Sequence, residues 1–526
     1  MKKIILSKIQ TGVFLPFFLL MLFLLPAFIG LFHTGFPVTD DGSWMIIRFS
    51  AFYQALRHGQ FPVRFLMRLN HGYGYPVADF LYPLFMYIGA PIHLLGFGFI
   101  STIKIILGGS LFLAGVFTFF WLCILFTPMA ALVGAISYVL FPYYLFDVYQ
   151  RGSVGEAVAL SIVPFIFWQI EQRNYLLIAI GIALLIIAHN SLALLFFPVI
   201  ILYMLLACRD VAMQRLYAIS IFLGLGLSAF FWIPALYDKQ FTVFDGTKVS
   251  DFSQYFITTK NVSLVEPQYI AVLLVIGVLY FLKKHAKIPL FFLFILCISL
   301  FFSLPLSAPL WNLLPLPQVL QFPFRFLSLA IVSTAFLSAY VMHTAKTLVK
   351  IIMLTVLCIS MVYISAWQYL LPRQYQLYDD SYYATNQDST TVKNEYMPTW
   401  VKETAFSSPK SAVEIIRGKG IITTVRTNNA NKIQFSTHIA QSGILKINTI
   451  YFPGWEVFVN NHPQQIFYNN PQGVMEIFLR RGNYTIIAQF GETPIRKMAD
   501  CISLVSIITG VLVLLMHKKR SSQAKK

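Results

Sequence analysis

The sequence predicts a polytopic α-helical membrane protein that carries an extracytoplasmic β-sandwich domain near its C-terminus. Of the 526 residues, 57% are hydrophobic and only 11% charged, against about 25% charged in a typical soluble domain. Apolar runs long enough to cross a bilayer recur through the first 371 residues and return at 499–516. Between 372 and 498 the pattern changes to a period-two alternation interrupted by turn residues, as strands require.

Taken in order, candidate spans run 11–32, 102–126, 129–146, 156–171, 175–189, 191–207, 216–236, 267–282, 288–304, 324–342, 349–371 and 499–516. The first is too long for a signal-peptide core and lacks a small-residue cleavage site, so it is expected to be a retained helix. Segment 80–97 is long enough to cross, but Pro83, Pro91 and several glycines interrupt it. Basic residues settle its expected placement. If 80–97 lies along the outer surface, then Arg173, Arg209 to Arg215, Lys283 to Lys287, Lys346 to Lys350 and the 518–526 tail all fall on one side, with Lys2, Lys3 and Lys8. If it crosses, that agreement fails.

The expectation is therefore twelve spanning helices in the plasma membrane with both termini cytoplasmic. The transmembrane domain covers 1–371, with an outer loop at 33–101. Residues 372–498 form an extracytoplasmic, mainly β domain, and 499–526 form a last helix and a basic cytoplasmic tail.

Within 372–498, Ile433, Phe435 and Thr437 alternate with Gln434, Ser436 and His438, and Tyr484, Ile486, Ala488 and Phe490 repeat the pattern. Turn signals at Thr427-Asn428-Asn429, Asn460-Asn461 and Arg481-Gly482-Asn483 separate the runs. About seven strands in an antiparallel sandwich are expected.

The net charge of +18 does not mark a nucleic-acid partner, because its clusters sit in short connectors and termini and set orientation instead. The five cysteines, Cys123, Cys208, Cys297, Cys358 and Cys501, all lie in apolar segments, and no C-x-x-C occurs. Neither a disulfide framework nor a zinc site is implied.

Unusual polar residues gather at the expected outer boundary. Thr39-Asp40-Asp41-Gly42 follows the first span; paired carboxylates there can take a proton from a hydroxyl or hold a divalent cation against a phosphate. An ordinary hydrophilic loop accounts for the same pair. Asp147, Arg151 and Glu156 flank small residues between two apolar segments, which fits an ion-pair network as well as the wall of an active site. Arg325, in Gln321-Phe322-Pro323-Phe324-Arg325, can snorkel to the interface or meet a lipid phosphate with its planar fork. His189-Asn190 suits a capped helical hairpin or a site. The turn-rich stretches Gly59 to Phe65 and His71 to Pro76 carry aromatics that can stack on sugars or anchor the loop.

In order, Asp41 to Arg48, Ala55 to Pro62, Gly72 to Pro76, Tyr82 to Leu84, Asp147 to Glu156, Ala188 to Ser191, Gln321 to Arg325 and Glu395 to Pro398 resemble the YfhO-like, 6-pyruvoyl-tetrahydropterin-synthase-related integral membrane proteins of the GT-C glycosyltransferase superfamily. Tyr451 to Trp455 and Arg481 to Tyr484 resemble that family's outer β domain. The chain departs at Val63-Arg64-Phe65, where relatives often have an arginine-tryptophan pair, and at Asn460-Asn461-His462, where Asp-Gly is common.

The resemblance implies a GT-C-like fold and transfer of a sugar from a polyprenyl-phosphate carrier to an extracytoplasmic glycan or cell-envelope polymer. Its partners would be those two substrates and membrane lipids. It implies Asp41, with Asp40 second, as base or divalent-metal ligand, and Arg325 and Arg151 on the donor phosphate. Asp147, Glu156, His189 and Asn190 would shape the site. No cofactor beyond that metal is implied. The rival readings are a lipid or polysaccharide transporter, for which ionisable groups at the bilayer midplane would be expected, an envelope assembly scaffold, and a GT-C-like protein that has lost catalysis while its outer domain keeps a binding role.

Overall fold

A computed structural model describes residues 12–247, 251–258, 287–344, 372 and 374–523. They form two compact units that interleave along the chain. The first is drawn from Met1–Ser43, Ile100–Gly226 and Lys248–Tyr378, and the second from Trp44–Phe99, Leu227–Thr247 and Asp379–Lys526.

Among the described residues, six helices are long and apolar enough to cross a membrane: Phe14–Phe32, Phe99–Leu125, Val154–Gln172, Asn190–Ala207, Pro323–Thr344 and Pro494–Met516. Three further pairs of apolar helices are bent at a break: Pro128–Val139 with Pro142–Arg151 at 41°, Lys287–Ser303 with Pro305–Leu313 at 82°, and Val211–Leu227 with Ala229–Phe241. Two of these breaks sit at a proline, whose ring forces the preceding residue out of helical geometry. Phe141 and Leu304, just before Pro142 and Pro305, are accordingly extended.

The expected span 175–189 is the shorter helix Tyr175–Ala188. Segment 80–97 contains only Leu84–Leu94, an 11-residue helix about 16 Å long, half the thickness of a hydrocarbon core. The expected spans 267–282 and 349–371 lie outside the described residues, as do the basic connectors at 283–286 and 345–350.

Small residues let the helices of the first unit approach closely. Every residue from Leu327 to Met342 is buried, and Gly134 on Pro128–Val139 leaves no room for a methyl group, since a Cβ would lie 2.7 Å from the Ala335 carbonyl. Trp121 fills the centre, stacked on Phe167 at 4.9 Å between ring centroids. A short antiparallel pair, β1 (Phe36–Pro37) with β2 (Tyr375–Gln376), ties down the segment that leads to the paired aspartates.

The second unit holds the antiparallel β domain. Its strands are β3 (Val413–Asn429), β4 (Lys432–Ile450), β5 (Trp455–Val459), β6 (His462–Gln464), β7 (Val474–Leu479) and β8 (Gly482–Phe490). They join one sheet in the order β3-β4-β8-β5-β6, with β7 added on β4. The long β4 pairs with β8 along Lys432 to Ile439 and with β7 along Gly443 to Ile450. One strand thus serves two neighbours, and its inward Ile433, Phe435, Ile439, Leu445 and Ile447 share a core with Trp455, Met475, Ile486 and Phe490. The Asn460-Asn461 turn has both residues at positive φ, as a two-residue hairpin loop requires.

The same unit buries an ion network that joins Pro76–Asp79 to the helices Ala229–Asp238 and Pro494–Gln523. Arg496 meets Asp238 at 2.9 Å and Asp79 at 3.3 Å, while Arg64 meets Asp79 at 3.4 Å and Asp500 at 3.1 Å.

Candidate functional site

The polar residues that the sequence singles out in the first unit converge on Glu156. Helix Val154–Gln172 opens just after Gly152, whose left-handed φ of 66° ends a π-helical turn over Asp147–Arg151. That turn carries Arg151 back over the first turn of the helix, and Arg151 Nη1 donates to Glu156 Oε1 at 2.7 Å and to Asp147 Oδ1 at 2.8 Å. Arg325 reaches the same Oε1 with Nε at 2.8 Å and Nη2 at 2.6 Å. Tyr143 Oη donates to Glu156 Oε2 at 3.0 Å. His189 Nδ1 accepts from the Leu192 amide and so caps Asn190–Ala207, which leaves Nε2 3.6 Å from Glu156 Oε1. Asn190 opens that helix.

Two guanidiniums and two carboxylates balance here in a buried setting, where an unpaired charge would be costly. The two arginines are held differently. Arg325 also donates through Nη1 to the Leu320 carbonyl at 2.6 Å and to Gln321 Oε1 at 3.3 Å, so most of its fork is committed. Arg151 keeps Nε and Nη2 without a hydrogen-bond partner among the described residues. Asp147 Oδ2 is likewise buried and unpaired. The rings of Phe322 and Phe324 lie 5.7 and 5.3 Å from the Arg151 guanidinium, and Arg325 lies 5.3 Å from Phe322.

The aspartate pair is brought to this cluster through the backbone. Asp40 N–H donates to the Gln150 carbonyl at 2.9 Å and Asp41 N–H to the Arg151 carbonyl at 2.8 Å. Thr39 Oγ1 accepts from the Gly42 amide at 3.0 Å, which closes a turn around both aspartates just before the helix Gly42–Arg57. Two glycines permit the approach. A Cβ on Gly152 would fall 2.5 Å from Thr39 Oγ1 and 2.7 Å from the Gly42 backbone, and one on Gly42 would fall 2.4 Å from Thr39 Oγ1. Partial burial and the neighbouring Asp41 charge hold the Asp40 carboxyl above its ordinary range, partly offset by Arg151.

Asp40, Asp41, Asp147, Arg151, Glu156, His189 and Arg325 thus belong to one neighbourhood of the first unit. The motifs Gly59 to Phe65 and His71 to Pro76 belong to the second unit. Sequence reasoning missed Tyr143 and the turns at Thr39 and Gly152. The glycine offered a signal, because a residue without a Cβ takes the left-handed conformation at no steric cost. Among the described residues no three His, Cys, Asp or Glu side chains converge to hold a metal ion.

Comparison with known proteins adds the following. A 24% identity over 265 residues links the chain to an uncharacterized protein of Lactococcus lactis subsp. cremoris (strain MG1363), covering 46% of this chain and 42% of that one. The arabinofuranosyltransferase AftD from mycobacteria is similar in structure, with a TM-score of 0.48 and 16% identity over 67% of this chain and 27% of AftD. A mutant form of that enzyme gives 0.45 and 18%, over 67% of this chain and 28% of its own. The chain therefore spans less than half the length of these relatives. The family model for the 6-pyruvoyl-tetrahydropterin synthase related domain, a membrane protein domain, matches residues 79–371. That stretch is more than half of the sequence and contains every member of the Glu156 cluster, and the chain belongs to this family of membrane proteins.

Proposed function

We propose that the chain is a GT-C-type membrane glycosyltransferase that moves a sugar from a polyprenyl-phosphate carrier to an extracytoplasmic glycan or cell-envelope polymer. The observation that carries this reading is the docking of Asp40-Asp41 on the Asp147–Arg151 turn, which sets a half-exposed carboxylate pair beside a guanidinium with unused donors. A sugar transfer needs those two groups: a base for the acceptor and a cation for the leaving phosphate.

In the proposed step, Asp41 accepts the proton of an acceptor hydroxyl, with Asp40 its alternate. The hydroxyl oxygen forms the new bond to the anomeric carbon as the carbon–oxygen bond to the phosphate breaks. The electron pair leaves on the polyprenyl phosphate, and Nε and Nη2 of Arg151 offset its charge. Arg325 acts second, by holding Glu156 and through it Arg151. Every step is carried by the protein's own side chains, and a divalent metal on Asp40 and Asp41 is not required. The resemblance of the Asp41 to Arg48 and Gln321 to Arg325 segments to GT-C proteins supports the same assignment, with residues 372–498 outside the plasma membrane.

The test is direct. Purified protein is incubated with polyprenyl-phosphate sugars and a glycan acceptor, and release of polyprenyl phosphate is followed. Asp41→Asn should abolish release and leave thermal stability in detergent near wild type. Wild-type turnover in both Asp41→Asn and Asp40→Asn would remove the base from the mechanism.

One observation favours the transporter reading: the break between Pro128–Val139 and Pro142–Arg151 lies in the span that carries Asp147 and Arg151, as in transporters built on discontinuous helices. Flux of a lipid-linked sugar across proteoliposomes without phosphate release would establish it.

A further inference from the structure

The second unit contains a cavity of about 330 Å³, at the small end of the range for small-molecule sites. Gln54, His58, Arg68, His71, Gln387 and Asn448 supply its polar lining, and no carboxylate of the described residues lines it. Arg68 is the key group. It makes no ion pair among the described residues; its Nη1 donates to the Ala384 carbonyl, and its Nη2 to the Ile47 and Tyr383 carbonyls at 3.1 and 3.2 Å and to Ser50 Oγ. Its Nε is buried without a partner. Burial with no counter-charge pushes its pKa down to about 10.

One other lining group is also left unmet. Asn448 is 3% exposed and its Oδ1 has no partner among the described residues, although Nδ2 donates to the Ser411 carbonyl and Glu414. The partly exposed His71 ring and the exposed Gln54 side chain open onto the same cavity. Asn70 and His71 both stand at positive φ, followed by Gly72. Backbone in this sparsely populated region persists where surroundings over-determine it, most often at binding sites.

We propose that this cavity binds one anionic sugar unit, a monosaccharide carrying a carboxylate or a phosphate. The uncompensated guanidinium selects the charge, and the surrounding amides and imidazoles match a ring of hydroxyls, which both donate and accept. The site is independent of the transfer chemistry proposed above, because binding here needs no donor lipid.

Full-length protein in detergent is titrated calorimetrically with D-glucuronate, D-glucose 6-phosphate, D-glucose and inorganic phosphate. Saturable binding of at least one anionic sugar is expected, with glucose and inorganic phosphate each about tenfold weaker or more. Binding confined to glucuronate identifies a carboxylate ligand, and binding confined to the phosphosugar a phosphate ligand. Gln54→Ala combined with His71→Gly removes two side chains that line the cavity and should weaken the preferred sugar about tenfold. Equal affinity for glucose, equal affinity for inorganic phosphate, no binding of either anionic sugar, or unchanged affinity in the double variant would each overturn the proposal.

Discussion

At the scale of single residues, Glu156 and Asp41 are opposites. Glu156 accepts from Arg151, Arg325 and Tyr143 in a fully buried position, so Glu156→Gln leaves two guanidiniums without their counter-charge. Removing one partner from a buried ion cluster costs about 3–5 kcal/mol, and a large fall in unfolding temperature in detergent is expected, whatever the activity. Arg151 should behave as a ligand of the donor: Arg151→Lys keeps the charge and loses the fork, which weakens donor use about ten- to a hundredfold in kcat/KM while acceptor dependence stays unchanged. Asp40 carries a pH signature. Its carboxyl takes up a proton at higher pH than a free aspartate, and a base works only when ionised. With Asp40, the alternate, as base, the acid limb of kcat/KM lies above the ordinary aspartate range and Asp40→Asn removes it; a pH–rate profile of the two proteins checks which aspartate takes the proton.

Elements hold these residues in place through close backbone approach. The loop at 39–42 touches the 147–151 turn only because positions 42 and 152 lack a Cβ. Gly152→Ala combines a left-handed φ, costing about 1–2 kcal/mol, with a contact no side chain can relieve. The expected outcome is displacement of the aspartate loop while the helix core stays folded. Amide hydrogen exchange should accelerate at Asp40 and Asp41, whose N–H groups are protected by Gln150 and Arg151, with a matching loss of transfer. Unchanged protection at both amides would dissociate the loop from the turn. The broken span at Phe141 serves the same arrangement, because the short segment after Pro142 delivers Tyr143 and Asp147 to Glu156.

For the whole molecule, apolar surface marks the membrane. Only 17% of the Pro494–Met516 window is buried, and Val505, Ile508 and Leu512 are each more than half exposed, which in water would be an aggregating surface and in lipid is the expected one. The proposed topology puts residues 372–498 outside and Lys284 inside. In a cysteine-free background, Ser381→Cys should label in intact cells with a membrane-impermeant reagent and Lys284→Cys only after permeabilisation. Equal labelling of both in intact cells would defeat the twelve-span scheme.

The sequence by itself determined the membrane class, the period-two domain near the C-terminus and the shortlist of polar residues, because composition and periodicity are local properties that burial in lipid or in a sheet imposes directly. It showed Arg325 and Arg151 as equivalent candidates, and Asp40-Asp41 as a pair that an ordinary loop explains equally well. The tertiary structure decided how these side chains are partnered. Glu156 and Arg325 are 169 positions apart, and their bond depends on how helices pack. The same packing spends the fork of one arginine and leaves that of the other open, something no spacing rule encodes. Partner exchange along β4 and the polar cavity around Arg68 belong to the same class, since each arises where segments distant in the chain meet and side chains either find partners or are left without them.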